Sequence, residues 1–137
     1  MPVMTVPEIE ALMDRTFPGW RMISSIESLG EHDITLVMPF RKEMVRSGGT
    51  ISGPALMLLA DTSAYFVTLA HAGPHPNMAT ANLDIHFLAR PQPGPIRAIA
   101  TMLRLGRRLA VSKVDLRSGD ALVAHATVTY ALPSERT

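Results

Sequence analysis

RSGGTISGPALMLLADTSAYFVTLA, residues 46–70, decides the fold of this 137-residue chain. It opens on a glycine-bearing turn, Gly48-Gly49-Thr50-Ile51-Ser52-Gly53, and from Pro54 onward carries no charged residue except Asp61. Pro54 suits the first position of a helix, where its preset φ fits and its missing N–H would have had no partner. Ser52 or Gly53 can serve as the N-cap just before it. Ala, Leu and Met follow, all good helix formers. Apolar side chains fall on every face, so a helix over about residues 53–70 is expected to be buried nearly all round. Asp61 then requires a reason, because an ionised carboxylate in apolar surroundings is costly unless it is paired, hydrogen-bonded or functional.

Three plainer readings stand beside the functional one. Asp61 can be a structural acid bonded to a backbone group or a hydroxyl. It can face water at an open patch of the helix. Or the stretch can cross a membrane, for which about 18 uncharged residues are the usual requirement. Asp61, the polar Thr62, Ser63, Tyr65 and Thr68, and the lack of a basic flank that would set an orientation argue against a span.

Upstream, Thr5-Val6-Pro7-Glu8 reads as a capping box that opens a short helix over about residues 5–14. Phe17-Pro18-Gly19-Trp20 ends it. Arg21 to Leu29 is expected as a strand, Gly30 to Asp33 as a turn, and Ile34 to Pro39 as the second strand of a hairpin. Phe40 to Arg46 is a polar linker. Downstream, the breaker His71-Ala72-Gly73-Pro74-His75-Pro76-Asn77 stops the helix. Met78 to Leu88 alternates, with Leu83, Ile85 and Phe87 on one face and Asn82, Asp84 and His86 on the other. Strands are expected over Ile96 to Leu105, Leu109 to Leu116 and Ala121 to Leu132, with a turn or bulge at Gly106, a hairpin turn at residues 117–120 and a polar tail at 133–137. Strands linked by such short turns are antiparallel. The pattern is therefore α+β in one domain, residues 1–137: an antiparallel sheet wrapped around one long central helix. One helix covers one side of a sheet, so pairing with a second copy of the chain is expected, with a symmetric dimer as the default.

Composition excludes several classes. The net charge of +1 gives no field to attract nucleic acid or an acidic membrane. Without cysteine there is no disulfide, thiolate metal site or cysteine nucleophile. His71 and His75 share a loop without a nearby acid, so neither a metal nor another cofactor is expected. The first residues, MPVMTVPEIEALMD, lack a basic region followed by an apolar core, so a cytoplasmic protein is expected. Nine Met residues fill space in place of aromatics, and Met adapts to varied apolar ligands.

The order of elements resembles the hotdog fold, and the central stretch is similar to acyl-CoA thioesterases of the PaaI type, the relatives of 4-hydroxybenzoyl-CoA thioesterase. Their signature is Asn-x-x-Gly-x-x-His-Gly-Gly, followed seven residues later by the acid of Leu-Ala-Asp. Gly49 and Gly53 fall on its first two glycines, and Leu59-Ala60-Asp61 falls on the acid segment. Ala79 to Pro91, with Thr80, Leu83, Ile85, Phe87, Leu88, Arg90 and Pro91, is similar to the family's Thr-x-x-Leu-x-Ile-x-Phe-Leu-Arg-Pro strand, and Gly106-Arg107 matches the next hairpin. The likeness spans roughly residues 20–132. The family's Asn falls on Arg46, its His on Ser52 and its third Gly on Pro54.

The resemblance implies a hydrolase that cleaves an acyl-CoA to the free acid and coenzyme A. Asp61 would be general base or nucleophile. The Gly53 N–H, at the positive end of the helix dipole, would stabilise the oxyanion, and Thr80 would help hold the attacking water. Arg46 and Ser52 stand where the family binds or polarises the thioester. Arg90, Arg107 and Arg108 are candidates for the coenzyme A phosphates, which Arg pairs well. Asp61 lies about 12 Å along the helix from Gly53, so the two cannot serve one carbonyl within one chain. In hotdog dimers, as the resemblance implies, the acid comes from one subunit and the helix N-terminus from the other, and dimers can pair into a homotetramer. The alternative function is a non-catalytic hotdog module that binds an acyl or aryl thioester or a small apolar ligand. A hotdog dehydratase would need a histidine-based site, and no His falls within residues 46–70.

Overall fold

In the computed structural model, residues 1–46 and 48–133 are described; residue 47 and the expected polar tail from 134 to 137 lie outside the described residues. Helix α1 (Val6–Thr16) opens through the expected capping box: the Glu8 N–H donates to the Thr5 hydroxyl at 3.3 Å and the Thr5 N–H to the Glu8 carboxylate at 2.9 Å. Its inner face buries Ile9, Leu12 and Met13.

Trp20 is fully buried, edge-on to Phe66 with ring centroids 5.2 Å apart. Its indole N–H donates to Asp14 at 2.9 Å, and Arg21 lies 4.6 Å over its ring while bonding the same carboxylate at 3.0 Å. Arg21 and the indole N–H hold the Asp14 carboxyl below the usual carboxylate range. Pinned in this way, Trp20–Met22 form a 3-10 turn, and strand β1 (Ser25–Leu29) begins four residues later than the expected Arg21. The expected polar linker likewise contains a 3-10 turn, Lys42–Met44.

The remaining elements are β2 (Asp33–Met38), α2 (Gly53–Ala72), β3 (Ala79–Phe87), β4 (Ile96–Leu105), β5 (Leu109–Ser118) and β6 (Ala121–Ala131). All six strands form one antiparallel sheet in the order β1-β2-β4-β5-β6-β3. This is the hotdog fold: the sheet wraps α2. Ala98, Ala100, Ala110, Ala124 and Ala126 are fully buried, and their small side chains let the helix lie close to the strands. Leu59, Phe66, Val67 and Leu69 of α2 fill the space between, against Leu36, Val114, Leu116 and Val128. β3 is an edge strand, hydrogen-bonded to β6 on one side only among the described residues.

α2 is long and apolar enough to cross a membrane, with mean hydropathy 1.3 over its most apolar window, yet 56% of that window is buried inside the protein. The expectation of burial all round holds for its second half and fails for its first. Met57 and Leu58 are 41% and 47% exposed, because a single sheet reaches only one side of the helix and α1 covers only part of the other.

Candidate active site

Two clusters on α2 hold most of the residues singled out by the sequence. The first surrounds Asp61, which is half-buried. The Thr80 hydroxyl donates to its Oδ1 at 2.9 Å. The Tyr130 hydroxyl donates to the same Oδ1 at 2.6 Å and lies 3.1 Å from the Asp61 carbonyl oxygen. Two donors thus fix one carboxylate oxygen, and among the described residues none bonds Oδ2. Burial, with the Asp61 carboxylate adding to it, pushes the Tyr130 phenol far above its ordinary value, so Tyr130 stays a neutral donor. Its ring packs 5.6 Å from that of Tyr65, whose own hydroxyl is anchored on the Pro76 carbonyl at 2.9 Å. A cavity of about 180 Å³ opens beside Asp61.

Thr80 reaches Asp61 through a register shift. Simple alternation from Asn82, Asp84 and His86 would place Thr80 on the outer face with them. Between Thr80 and Asn82 the ladder slips, so that Thr80 faces Tyr130 while Asn82 faces Thr129. The extra residue turns Thr80 to the helix side, as bulges near functional sites commonly do. Tyr130 was not among the expected site residues. Its signal was the alternation of buried Ala124, Ala126, Val128 and Tyr130 along β6, which carries the phenol to the helix side.

The second cluster lies at the N-terminus of α2. Ser52 is the N-cap, its hydroxyl accepting the Ala55 N–H at 3.3 Å. This settles the choice of cap between Ser52 and Gly53 and puts Pro54 second in the helix rather than first. The Ser52 carbonyl takes the Leu56 N–H at 3.2 Å, and Pro54 has none to give. The Gly53 N–H therefore remains without a partner among the described residues. It borders a cavity of about 410 Å³ together with Arg46, Arg90, Pro54, Met57 and Phe87. A side chain at Gly53 would meet the Phe87 ring at 3.4 Å.

The structure thus joins Asp61 with Thr80, and Arg46, Gly53 and Arg90 with one another. The two groups stay apart, eight residues or about 12 Å along α2. The Ser52 hydroxyl already has its cap bond. Arg107 sits in the β4–β5 turn, which the Leu132 N–H bond to the Arg108 carbonyl ties to the end of β6, outside the Arg46–Arg90 cavity. Among the described residues no cluster of three or more His, Asp or Glu groups is placed to hold a metal ion.

A sheet rolled round one helix, with a carboxylate and an open N-terminus on that helix, defines a hotdog domain of the thioesterase class. Residues 45–131 match the acyl-CoA thioesterase N-terminal domain family, and the chain belongs to it. The crystal structure of a presumed thioesterase from Silicibacter sp. TM1040 is 34% identical, with a TM-score of 0.86 over 97% of this chain and 94% of that one. A presumed esterase of Pseudomonas aeruginosa is 29% identical over 135 residues, 96% of this chain and 100% of that one. A variant of the phenylacetic acid degradation protein PaaI from Thermus thermophilus shares the fold, with a TM-score of 0.73, 20% identity and coverage of 84% and 97%.

Proposed function

We propose that the chain hydrolyses an acyl-CoA, with Asp61 as the reacting carboxylate. The observation that carries this reading is the double anchoring of Asp61 Oδ1, which leaves Oδ2 without a hydrogen-bond partner among the described residues on a side chain that lines a cavity. Oδ2 takes a proton from water as the water oxygen bonds to the thioester carbonyl carbon. The carbonyl π electrons move to oxygen, where the Gly53 N–H receives the negative charge. Collapse of the intermediate breaks the C–S bond, and the thiolate takes the proton that Asp61 holds. The products are the acid and free coenzyme A. Alternatively Oδ2 attacks the carbonyl carbon itself, expelling the thiolate, and water then opens the resulting anhydride. A single turnover in ¹⁸O-water identifies direct attack when the anhydride opens at the Asp61 carbonyl, because only that route places ¹⁸O in the Asp61 carboxylate. Arg46 and Arg90 flank the helix N-terminus and supply the cations for the phosphates.

The site requires two chains. β3 carries Thr80 at its start and Phe87, which covers Gly53, at its end. Antiparallel pairing of this open edge with its copy lays the Thr80 end of one chain against the Phe87 end of the other. Asp61 then meets the partner's helix N-terminus. Exposed Phe87 and Leu88, at 50% and 56%, supply apolar surface for that contact.

The test is release of free thiol from a panel of acyl- and aryl-CoA substrates by the native chain, Asp61→Asn and Gly53→Pro. Pro fits the first helical position while removing the N–H. Each variant alone is expected to lose about a hundredfold or more. An equimolar mixture, allowed to exchange subunits, regains up to one quarter of native activity, since half the dimers are mixed and each holds one intact site. No native turnover sinks the hydrolase reading in favour of the non-catalytic binding module. Turnover without rescue by mixing sinks the shared site.

A further inference from the structure

The cavity beside Asp61 does not end there. Leu58, one turn back along α2, separates it from a second apolar cavity of about 220 Å³, and Leu58 lines both. Phe17, Met13 and Tyr65 wall the near space, and Ala55, Met22, Ile23, Met38 and Met44 wall the far one. Both lie on the face of α2 turned toward α1 and the Trp20–Met22 turn, away from the Arg46–Arg90 cavity. Arg41 stands at the far end, and it alone of the far cavity's lining residues is charged.

We infer that this divided trough holds the acyl chain of the substrate, and that it selects an unbranched aliphatic chain of about eight carbons. The inference rests on Asp61 being the reacting carboxylate of the thioesterase proposed above. Six residues separate Asp61 from Ala55, a rise of about 9 Å. A C–C bond of about 1.5 Å advances an extended chain by roughly 1.3 Å per carbon. About seven carbons beyond the carbonyl therefore reach the level of Arg41. A longer chain must displace the guanidinium from water or leave the trough, and both cost free energy. Leu58, which lines both cavities, stands on the path between them, and a flexible methylene chain bends past it more readily than a flat ring does. Four Met residues along the walls adapt to a flexible guest.

Acyl-CoA thioesters from two to sixteen carbons, with benzoyl-CoA beside them, test this as relative kcat/KM for the native chain, Leu58→Trp and Arg41→Leu. In the native chain kcat/KM rises by up to about fourfold per methylene, the worth of burying one CH₂, and stops rising near eight carbons. Leu58→Trp closes the passage and lowers the octanoyl-to-acetyl ratio about sixtyfold, three methylenes' worth at that rate. Arg41→Leu moves the optimum to longer chains. A flat dependence on length, benzoyl-CoA as the best substrate, or a Leu58→Trp ratio equal to native overturns the inference. Calorimetric Kd values for octanoyl-CoA and acetyl-CoA on the Asp61→Asn protein, with and without Leu58→Trp, repeat the comparison without turnover. Tighter octanoyl binding that Leu58→Trp removes supports the trough even if no thioester is hydrolysed, in which case the hydrolase reading alone falls. Equal affinities overturn the trough.

Discussion

Removing the Tyr130 hydroxyl probes how the site holds its carboxylate. Tyr130→Phe keeps the ring, its buried packing and its contact with Tyr65, and deletes only the donor 2.6 Å from Asp61 Oδ1. Thr80→Val deletes the other donor, at 2.9 Å. A hydrogen bond to a charged group contributes about 1.5–3 kcal/mol. Each single variant leaves one donor in place, so the carboxylate is loosened rather than freed, and kcat/KM is expected to fall about tenfold, or about 1.4 kcal/mol. The double variant leaves Oδ1 with no hydroxyl donor and approaches the loss of a general base, about a thousandfold, against about a hundredfold for the product of the singles. The coupling is therefore synergistic: the double loss exceeds the product of the singles. A second readout separates positioning from mere packing. Deleting either hydroxyl loosens the carboxylate, so kcat falls while KM for the thioester changes little. The assay is thiol release at varied thioester concentration for the four proteins, with thermal denaturation alongside. Native rates in Tyr130→Phe, or strictly multiplicative losses in the double variant, would refute the clamp.

Ser52→Ala removes the N-cap of α2 and should lower stability by about 1 kcal/mol, seen as a drop of roughly 3–5 °C in Tm. Arg90→Ala raises KM for coenzyme A thioesters and weakens their salt dependence, while thioesters of the short, uncharged N-acetylcysteamine show neither change; equal effects on both would remove Arg90 from the phosphates. Arg46→Gln lowers kcat as well as raising KM if its cation assists the oxyanion, and a change in KM alone confines it to binding. Because the Tyr130 phenol is pushed far above the ordinary tyrosine value near 10, the native state keeps that proton longer than the unfolded chain. Its contribution to stability is complete below about pH 10 and falls as pH rises above it. Urea titrations at pH 9 and above should show a shallower decline for Tyr130→Phe than for the native chain.

Much of this was legible in the residues, for identifiable reasons. Thr5 and Glu8, Pro54 after Ser52, and the turn at residues 117–120 act through neighbours a few positions away, so spacing alone located their elements. Asp61 stood out because a lone charge in an apolar helix demands a partner. The partners were less visible. Tyr130 is 69 residues away and reaches Asp61 only because the buried face of β6 packs against α2. Thr80 was singled out by resemblance, and the one-residue bulge that turns it to the helix side has no signal in its local sequence. The strand expected from Arg21 gave way to a 3-10 turn because the buried Trp20 fixes the chain through contacts with Asp14 and Phe66 that no local pattern encodes.

The departures at the head of α2 act as one unit. Ser in place of the family's His satisfies the helix end from within, since its hydroxyl bonds the Ala55 N–H. Pro in place of the third Gly removes a donor outright. Together they reduce the helix N-terminus to a single free N–H, that of Gly53, among the described residues. An oxyanion site that lacks one donor is weaker by about 2.7–4 kcal/mol. Arg in place of the Asn adds what those two changes remove, a positive group on the same cavity wall as Gly53. A cation acts over a longer range than an N–H dipole and needs less exact alignment. It also favours the anionic thioester in the ground state, so part of its effect goes into binding rather than rate. On the reading proposed above, the chain exchanges a directional oxyanion hole for a charged one. On that reading the cavity with Arg46 and Arg90 serves the charged part of the substrate, and the trough past Leu58, with Arg41 at its far end, serves the acyl tail.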